Sequence, residues 1–473
     1  MFVILMGGRL YLDYRIEPLI LCSAVIAGFM AWYLRCQWQQ LEEAILNKIN
    51  VAMQGMLIIF SVGCMVGAWM FCGTVPFMVY WGLELVNPNY MLLSAFLICA
   101  LTSCCTGTSW GSAATIGVAM IGIAHGLGIP LAPVAGAALS GCYVGDKLSP
   151  LSDTTNLAPA VAGATTYEHI GHMFYTTIPG TILCCIVFFF ASSSVTGELH
   201  TPAQVQDFMN QLTEIYKLHF LLAVPPLLLI TGSILRWPIL PTIILTTILS
   251  VALGCLLQGF DLCGGILSTT TGFKVSMTHY LATPTESVQT LLNRGGMMGV
   301  LENMGMLCVA MAFGGIMHGS GMLTVVLQKM LKRVRSDGGL IASTLLSCVV
   351  LCFSTGSAYM GILIPGSLFK ESYLKRRLHP KNLSRALEDS ATMLDGAIPW
   401  ASGAVYMSGV LGVSAFEYVP WMVFNYSSVF IGLACAMLGI GIVKISAEDA
   451  KERLATSQMD TVLIEETPEP VQA

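Results

Sequence analysis

Charge is scarce in this sequence. Asp, Glu, Lys and Arg together make up 10% of its 473 residues, where a soluble domain carries about a quarter. That deficit excludes an ordinary soluble globular chain, and the absence of any basic block excludes a nucleic-acid partner. A C-x-x-C pair is also missing, although there are 16 cysteines. They lie scattered in apolar segments, where cysteine acts as a small hydrophobe, so zinc and thiol-redox chemistry are set aside. The amino terminus lacks a signal peptide: Met1 to Gly7 is apolar but has no basic stretch before it and no cleavage signature after it. It is also far too short to span a bilayer, which takes ~20 residues. It reads as the end of a helix whose beginning is missing, as a late start codon would produce.

Apolar surface is what the chain has in excess. With 55% hydrophobic residues, a mean hydropathy of +0.74, 47 glycines and 27 methionines, it reads as an all-α polytopic membrane protein. About 11–13 hydrophobic segments fall between residues 17 and 443. Gly73-Thr-Val-Pro76 interrupts one of them. Four regions follow: a first transmembrane half over 1–195, a connecting region with two spans and loops over 196–295, a second half over 296–445, and a solvated tail over 446–473.

The halves are related. A shift of 249 residues, without a gap, lays Thr106-Gly107-Thr108 on Thr355-Gly356-Ser357, Gly117 on Gly366, Asp146 on Asp395, Pro150 on Pro399 and Glu168 on Glu417. The matches fall on glycine, proline and acidic positions, where backbone breaks and charges belong. In the second half, 329–335 and 370–385 are dense in Lys and Arg, which marks cytoplasmic loops. Their counterparts near 80–90 and 121–132 contain neither. Equivalent loops on opposite sides make two inverted-topology repeats with broken or re-entrant helices, an architecture of alternating-access carriers.

The densest polar run in this oily chain is 141–156, Gly-Cys-Tyr-Val-Gly-Asp-Lys-Leu-Ser-Pro-Leu-Ser-Asp-Thr-Thr-Asn. Pro150 removes a backbone donor and the short polar side chains compete for backbone hydrogen bonds, so an unbroken helix is disfavoured. Asp146 and Asp153, with hydroxyls and freed carbonyls, form a hard-oxygen set of the kind that takes alkali and alkaline-earth cations. A proton and a cation compete for such a carboxylate. Other readings stand beside this one. Asp146 can pair with Lys147 or Lys274, and Asp153 can cap a helix beginning at Thr154. Asp395 reads equally as an ion ligand or a helix end, and Gly-Ser/Thr runs also serve as close-packing surfaces. Glu388 and Asp389 read as solvated beside a basic loop, and Glu168-His169-Ile-Gly-His172 as interfacial. His318 reads as a packing histidine. A membrane hydrolase would need a nucleophile near the 168–172 cluster, which has none nearby in sequence.

Gly145-Asp-Lys-Leu-Ser-Pro-Leu-Ser-Asp-Thr-Thr-Asn156, preceded by Gly107-Thr-Ser-Trp-Gly111, resembles the signature of NhaC-type sodium/proton antiporters. Trp69, Gly73-Thr-Val-Pro76, Tyr80-Trp-Gly82, the glycine-rich run 296–319 and Asp395–Pro399 are similar to the same family, so the likeness covers about Arg15 to Val443. The resemblance implies a multi-pass carrier of the bacterial inner membrane. It would not be an enzyme, would use no cofactor, and would exchange Na⁺ for H⁺. Its partners would be those two ions and the lipid bilayer, and a homodimer is compatible with it. In that reading Asp146 and Asp153 are the titrating Na⁺ ligands. Thr108, Ser109, Ser149, Ser152, Thr154 and Asn156 add neutral oxygens, and Asp395 with Thr355 and Ser357 closes the site. The family also includes exchangers of malate for lactate with sodium and protons, which is the second reading. A carboxylate cargo would call for a basic residue at the site, and Lys147 is the candidate.

Overall fold

In a computed structural model of the chain, the described residues are 16–454 apart from 151, 196–201, 236, 281, 294 and 333. The amino-terminal reading of 1–7 and the far end of the tail lie outside them. Among the described residues the fold is helical, with one isolated β-bridge between Leu378 and Lys444. Among the described residues five helices are each long and apolar enough to cross a bilayer. Three further pairs are bent at a short break, among them Met56–Cys72 with Thr74–Leu85, at 69°. The hinge of that pair is Gly73, whose φ of 92° lies in the left-handed region that glycine adopts without strain. This is an all-α polytopic membrane protein.

Ten helices position the site. In the first half these are α1 (Met91–Thr106), α2 (Ser109–Leu127, with one π turn at Ala113–Gly117), α3 (Leu131–Leu148) and α4 (Asp153–Ala162). The long helix α5 (Thr166–Val195) follows them. The second half supplies α6 (Asp337–Thr355), α7 (Ala358–Lys375), α8 (380–395, with a π turn at Glu388–Thr392), α9 (Ser402–Leu411) and α10 (Val423–Leu438).

The 249-residue repeat is present in the backbone. Gly107 and Gly356 close α1 and α6 at φ 74° and 61°, and Thr108 and Ser357 follow as extended residues at φ −146° and −145°. α3 and α8 both stop before a proline-containing break. Gly163 and Gly412 then close α4 and α9 in the left-handed region. A cross-helix bond repeats as well: Ser103 Oγ donates to Cys142 O, and Cys352 Sγ donates to Ala391 O at 3.7 Å. Packing between the halves is exchanged, with α4 lying on α7 and α8, and α9 on α2.

Helix α5 shows that the repeats are inverted. Near its start, Glu168 meets His379, close to where Arg376 pairs with Asp337 at the beginning of α6. Near its other end, Ser192 accepts from Leu92 N–H, and Phe189 stacks on Tyr90 at the beginning of α1. Residues 168 and 192 of one helix are roughly 36 Å apart, enough to cross the ~30 Å hydrocarbon layer. The equivalent helices α1 and α6 therefore start on opposite faces. Arg376, Lys444 and Arg453 gather at the α6 end.

One sequence reading needs correction here. Lys370, Lys375 and Arg385 are helical rather than part of a loop, and Arg385 is buried. The first turns of the tail, 447–454, are a largely exposed helix, as a solvated segment would be, and Arg453 of that helix donates to Gly163 O at 3.0 Å.

Small residues set the spacing of α3 against α1. A side chain at Gly141 would strike the carbonyl of Phe96, and one at Gly145 the backbone of Ser103 and Cys104. Close approach of this kind is how lipid-embedded helices associate. Gly145→Val is therefore expected to collapse the yield of monodisperse protein in detergent. Gly28→Ala, which meets nothing within 4 Å, should leave that yield unchanged by size-exclusion chromatography.

Candidate functional site

The site begins where α3 ends. Asp146 lies in the last turn of α3 and is buried. Ser109 Oγ donates to its Oδ2 at 2.9 Å, the Ser109 N–H also points to the carboxylate, and the Ser152 hydroxyl is within hydrogen-bonding reach. Ser109 is the first residue of α2 and Ser152 is the N-cap of α4. One carboxylate thus faces the amino ends of two helices, whose exposed N–H groups and dipoles favour negative charge.

The neighbouring hydroxyls and amides hold this geometry. Thr108 Oγ1 accepts from Gly111 N–H and caps α2. Thr155 Oγ1 donates to Asp146 O at 2.8 Å, tying α4 to α3 across the break. Asn156 Nδ2 donates to Pro150 O and Ser152 O, which commits that side chain to buckling the break. Ser149 is buried in the break. Thr154 Oγ1 lies 3.3 Å from Ser152 Oγ and donates to Glu388 Oε1 at 3.0 Å. Asp153 is exposed in the first turn of α4, and the cap is Ser152, one position earlier than a helix starting at Thr154 would need.

The second break repeats the plan. Asp395 at the end of α8 accepts from Ser402 Oγ at 3.2 Å and is approached by the N–H groups of Gly403 and Ala358. These belong to the first turns of α9 and α7. A side chain at Gly403 would collide with this carboxylate. Thr355 Oγ1 turns back onto Leu351 O of its own helix, and Ser357 caps α7 by backbone geometry alone.

Two tyrosines join the breaks. Tyr143, one turn before Asp146, lies within electrostatic reach of both Asp146 and Asp395, with its hydroxyl against Gly396. Tyr359 is within reach of Asp146, Asp153, Asp395 and Glu388 and, like Asp153, is exposed.

The reading of Glu388 and Asp389 as solvated is wrong. Both are fully buried in the π turn of α8. The basic loop ends at His379, which caps the helix starting at Pro380, so the polar run that follows lies inside the bundle. There its charges are matched across the halves. Lys147 Nζ lies 2.5 Å from Asp389 Oδ1 and donates to Thr176 Oγ1 and Ser428 Oγ. Thr176 donates to Asp389 as well, and Arg385 Nε stands 4.0 Å from Asp389 Oδ2. Lys147 thus pairs with Asp389 rather than Asp146, and Lys274 is exposed beside a separate short helix. The repeat holds the missed signal: a shift of 249 lays Glu388 and Asp389 on Leu139 and Ser140, inside the apolar α3.

His169 and His172, near the start of α5, are buried. His169 Nδ1 bonds Ser384 Oγ, and His172 bonds Lys381 O and Gly441 O. His318 is exposed at the end of its helix, not packed. Among the described residues, no group of three or more His, Cys, Asp or Glu side chains is placed to hold a metal ion. What the first break presents is a buried carboxylate among hydroxyl and carbonyl oxygens, a hard and weakly charged ligand set.

Inverted repeats, helices broken at paired positions and a carboxylate at each break define a secondary carrier. Residues 141–440 match the model of the Na⁺/H⁺ antiporter family, and the chain belongs to that family. It is 40% identical to an uncharacterized Na⁺/H⁺ antiporter of Haemophilus influenzae, over 94% of this chain and 95% of that one. It is 33% identical to the Na⁺/H⁺ antiporter NhaC of Alkalihalophilus pseudofirmus (90% and 91%). It is also 33% identical to a malate-2H⁺/Na⁺-lactate antiporter of Bacillus subtilis (91% and 90%).

Proposed function

We propose that the protein expels Na⁺ in exchange for H⁺ across a bacterial inner membrane, with Asp146 as the carboxylate that holds the cation. The observation that carries this reading is the position of Asp146. It is buried at the meeting point of two helix amino ends, next to Ser109, Ser152 and Thr154, and it connects to the exposed Asp153 and Tyr359. Sodium takes such oxygens without needing a thiolate or imidazole. The inverted halves supply the motion, because rocking one repeat against the other exposes a site at their interface to each side in turn.

Identity alone does not choose between sodium/proton exchange and malate/lactate exchange, since relatives with both names stand at 33%. The site favours the first. An organic acid would need a basic group at the break, and Lys147, the basic residue beside it, is committed to Asp389. In everted vesicles holding an acid-inside gradient, Na⁺ alone is expected to dissipate the gradient. A response that appears only when malate or lactate accompanies Na⁺ would establish the other exchange.

A further inference from the structure

Helices α6 and α10 end side by side at one face of the membrane. Asp337 is the first residue of α6 and Leu438 the last of α10, and between those ends lies an open groove of about 530 Å³. Its floor is closed where Gly338 comes against Ala436 O, an approach that a side chain at 338 would block. One wall is apolar and turned outward: Met437 and Leu438 are 76% and 72% exposed. Phe430, two turns before Met437 on the same face of α10, is exposed as well. The wall therefore continues from the groove down into the hydrocarbon layer.

The rim of the groove is basic. Lys444 Nζ reaches Asp337 Oδ2 at 3.0 Å, and the lysine side chain is still 64% exposed. Arg376 meets Asp337 Oδ1 at 3.4 Å and pins the preceding backbone by donating to Val334 O and Arg335 O. That leaves the Arg335 side chain exposed next to Ser336, which lines the groove. Arg335, Arg376 and Lys444 thus stand against the single carboxylate of Asp337, and the rim keeps an excess of positive charge. Lys375, by contrast, is balanced by Glu371 at 2.9 Å.

From a basic rim joined to an outward apolar wall at the membrane face, we infer that this groove binds an anionic phospholipid. Its phosphodiester lies between Arg335 and Lys444, and one acyl chain follows Met437 and Phe430. A soluble anion would use the rim but not the wall, and a zwitterionic lipid would use the wall but bring no net charge to the rim. Basic pockets between spanning helices at headgroup depth suit anionic lipids. The bound lipid acts on the second half through the chain beyond α10. Lys444 bridges to Leu378, and Val443 O accepts from His379 N–H at 2.9 Å and Asn382 Nδ2 at 2.7 Å. A headgroup on Lys444 therefore steadies the start of α8, the helix that carries Asp389 and Asp395. The inference is independent of which ions the protein exchanges.

The test titrates the purified full chain in neutral detergent with dioleoylphosphatidylglycerol and with dioleoylphosphatidylcholine, reading bound lipid by native mass spectrometry. Phosphatidylglycerol is expected to bind the more tightly. A basic residue beside a headgroup is worth about fivefold in affinity. Arg335→Gln and Lys444→Gln should therefore each weaken phosphatidylglycerol binding about fivefold, and together about 25-fold, with phosphatidylcholine binding unchanged. Saturating phosphatidylglycerol should raise Tm by about 3 °C in the wild type and not in the double variant. If the double variant does not reach the membrane, Met437→Glu, which keeps every basic residue, should weaken phosphatidylglycerol binding about tenfold or more. Equal affinity for the two lipids overturns the inference, and so does a double variant that binds phosphatidylglycerol like the wild type. Displacement of the lipid by an equal concentration of glycerol phosphate also overturns it, because the wall then contributes nothing. A dimer that Met437→Glu dissociates, with no preference between the lipids, overturns it by giving the wall to a second copy of the chain.

Discussion

Asp146→Asn is expected to reduce Na⁺-driven proton movement below detection while leaving the amount of protein in the membrane unchanged. The separation follows from what surrounds the group. Ser109 Oγ, Ser109 N–H and Ser152 all direct hydrogens at this carboxylate, and an amide oxygen can accept from them. The two helix amino ends stay capped, so folding survives. The negative charge does not, and neutral oxygens alone bind an alkali cation weakly. Asp395→Asn is expected to fall short of this loss. Its donors are Ser402 Oγ and the N–H groups of Gly403 and Ala358, and the 249-residue shift lays Glu388, which faces the first break, on the apolar Leu139. The comparison is made in everted vesicles at matched expression. Wild-type activity in Asp146→Asn, or equal loss in both variants, would remove the first break as the seat of the ion.

Asp389→Asn is expected to act on stability rather than on the ion. It leaves two buried cations, Lys147 and Arg385, without their shared partner. Breaking a buried pair by removing one member costs about 3–5 kcal/mol, which should appear as a large fall in Tm in detergent and in membrane yield. Lys147→Met should cost less, because Arg385 and Thr176 remain on Asp389. The double variant Lys147→Met/Asp389→Asn should be more stable than Asp389→Asn alone, since one stranded cation has been removed. A double variant that is additive or worse would show that Lys147 has another partner of equal weight.

Much of this arrangement is legible in the sequence, for identifiable reasons. The oily composition sets the class. Gly107 and Gly356, like Gly117 and Gly366, recur at one fixed spacing, and the first pair does so because each closes a helix in the left-handed region. The cluster at 141–156 announces a break because proline and short polar side chains cannot continue a helix in lipid. What the sequence hides is direction. Asp146 and Lys147 are adjacent, yet about 100° of helical turn separates them. One faces the hydroxyls of the break and the other reaches Asp389 in the opposite half. Glu388 and Asp389 follow a basic loop in the chain and look solvated until the helix that carries them is placed inside the bundle. Neighbours in sequence suggest solvent there, while the 249-residue shift points to a buried helix, and the shift is the better guide.

The claim that Asp146 anchors a sodium ion between two inverted halves is tested most directly by equilibrium binding of ²²Na⁺ to the purified protein. The account predicts saturable binding that falls as pH is lowered and is absent in Asp146→Asn protein whose Tm matches the wild type. Binding of unchanged affinity in that variant would contradict it.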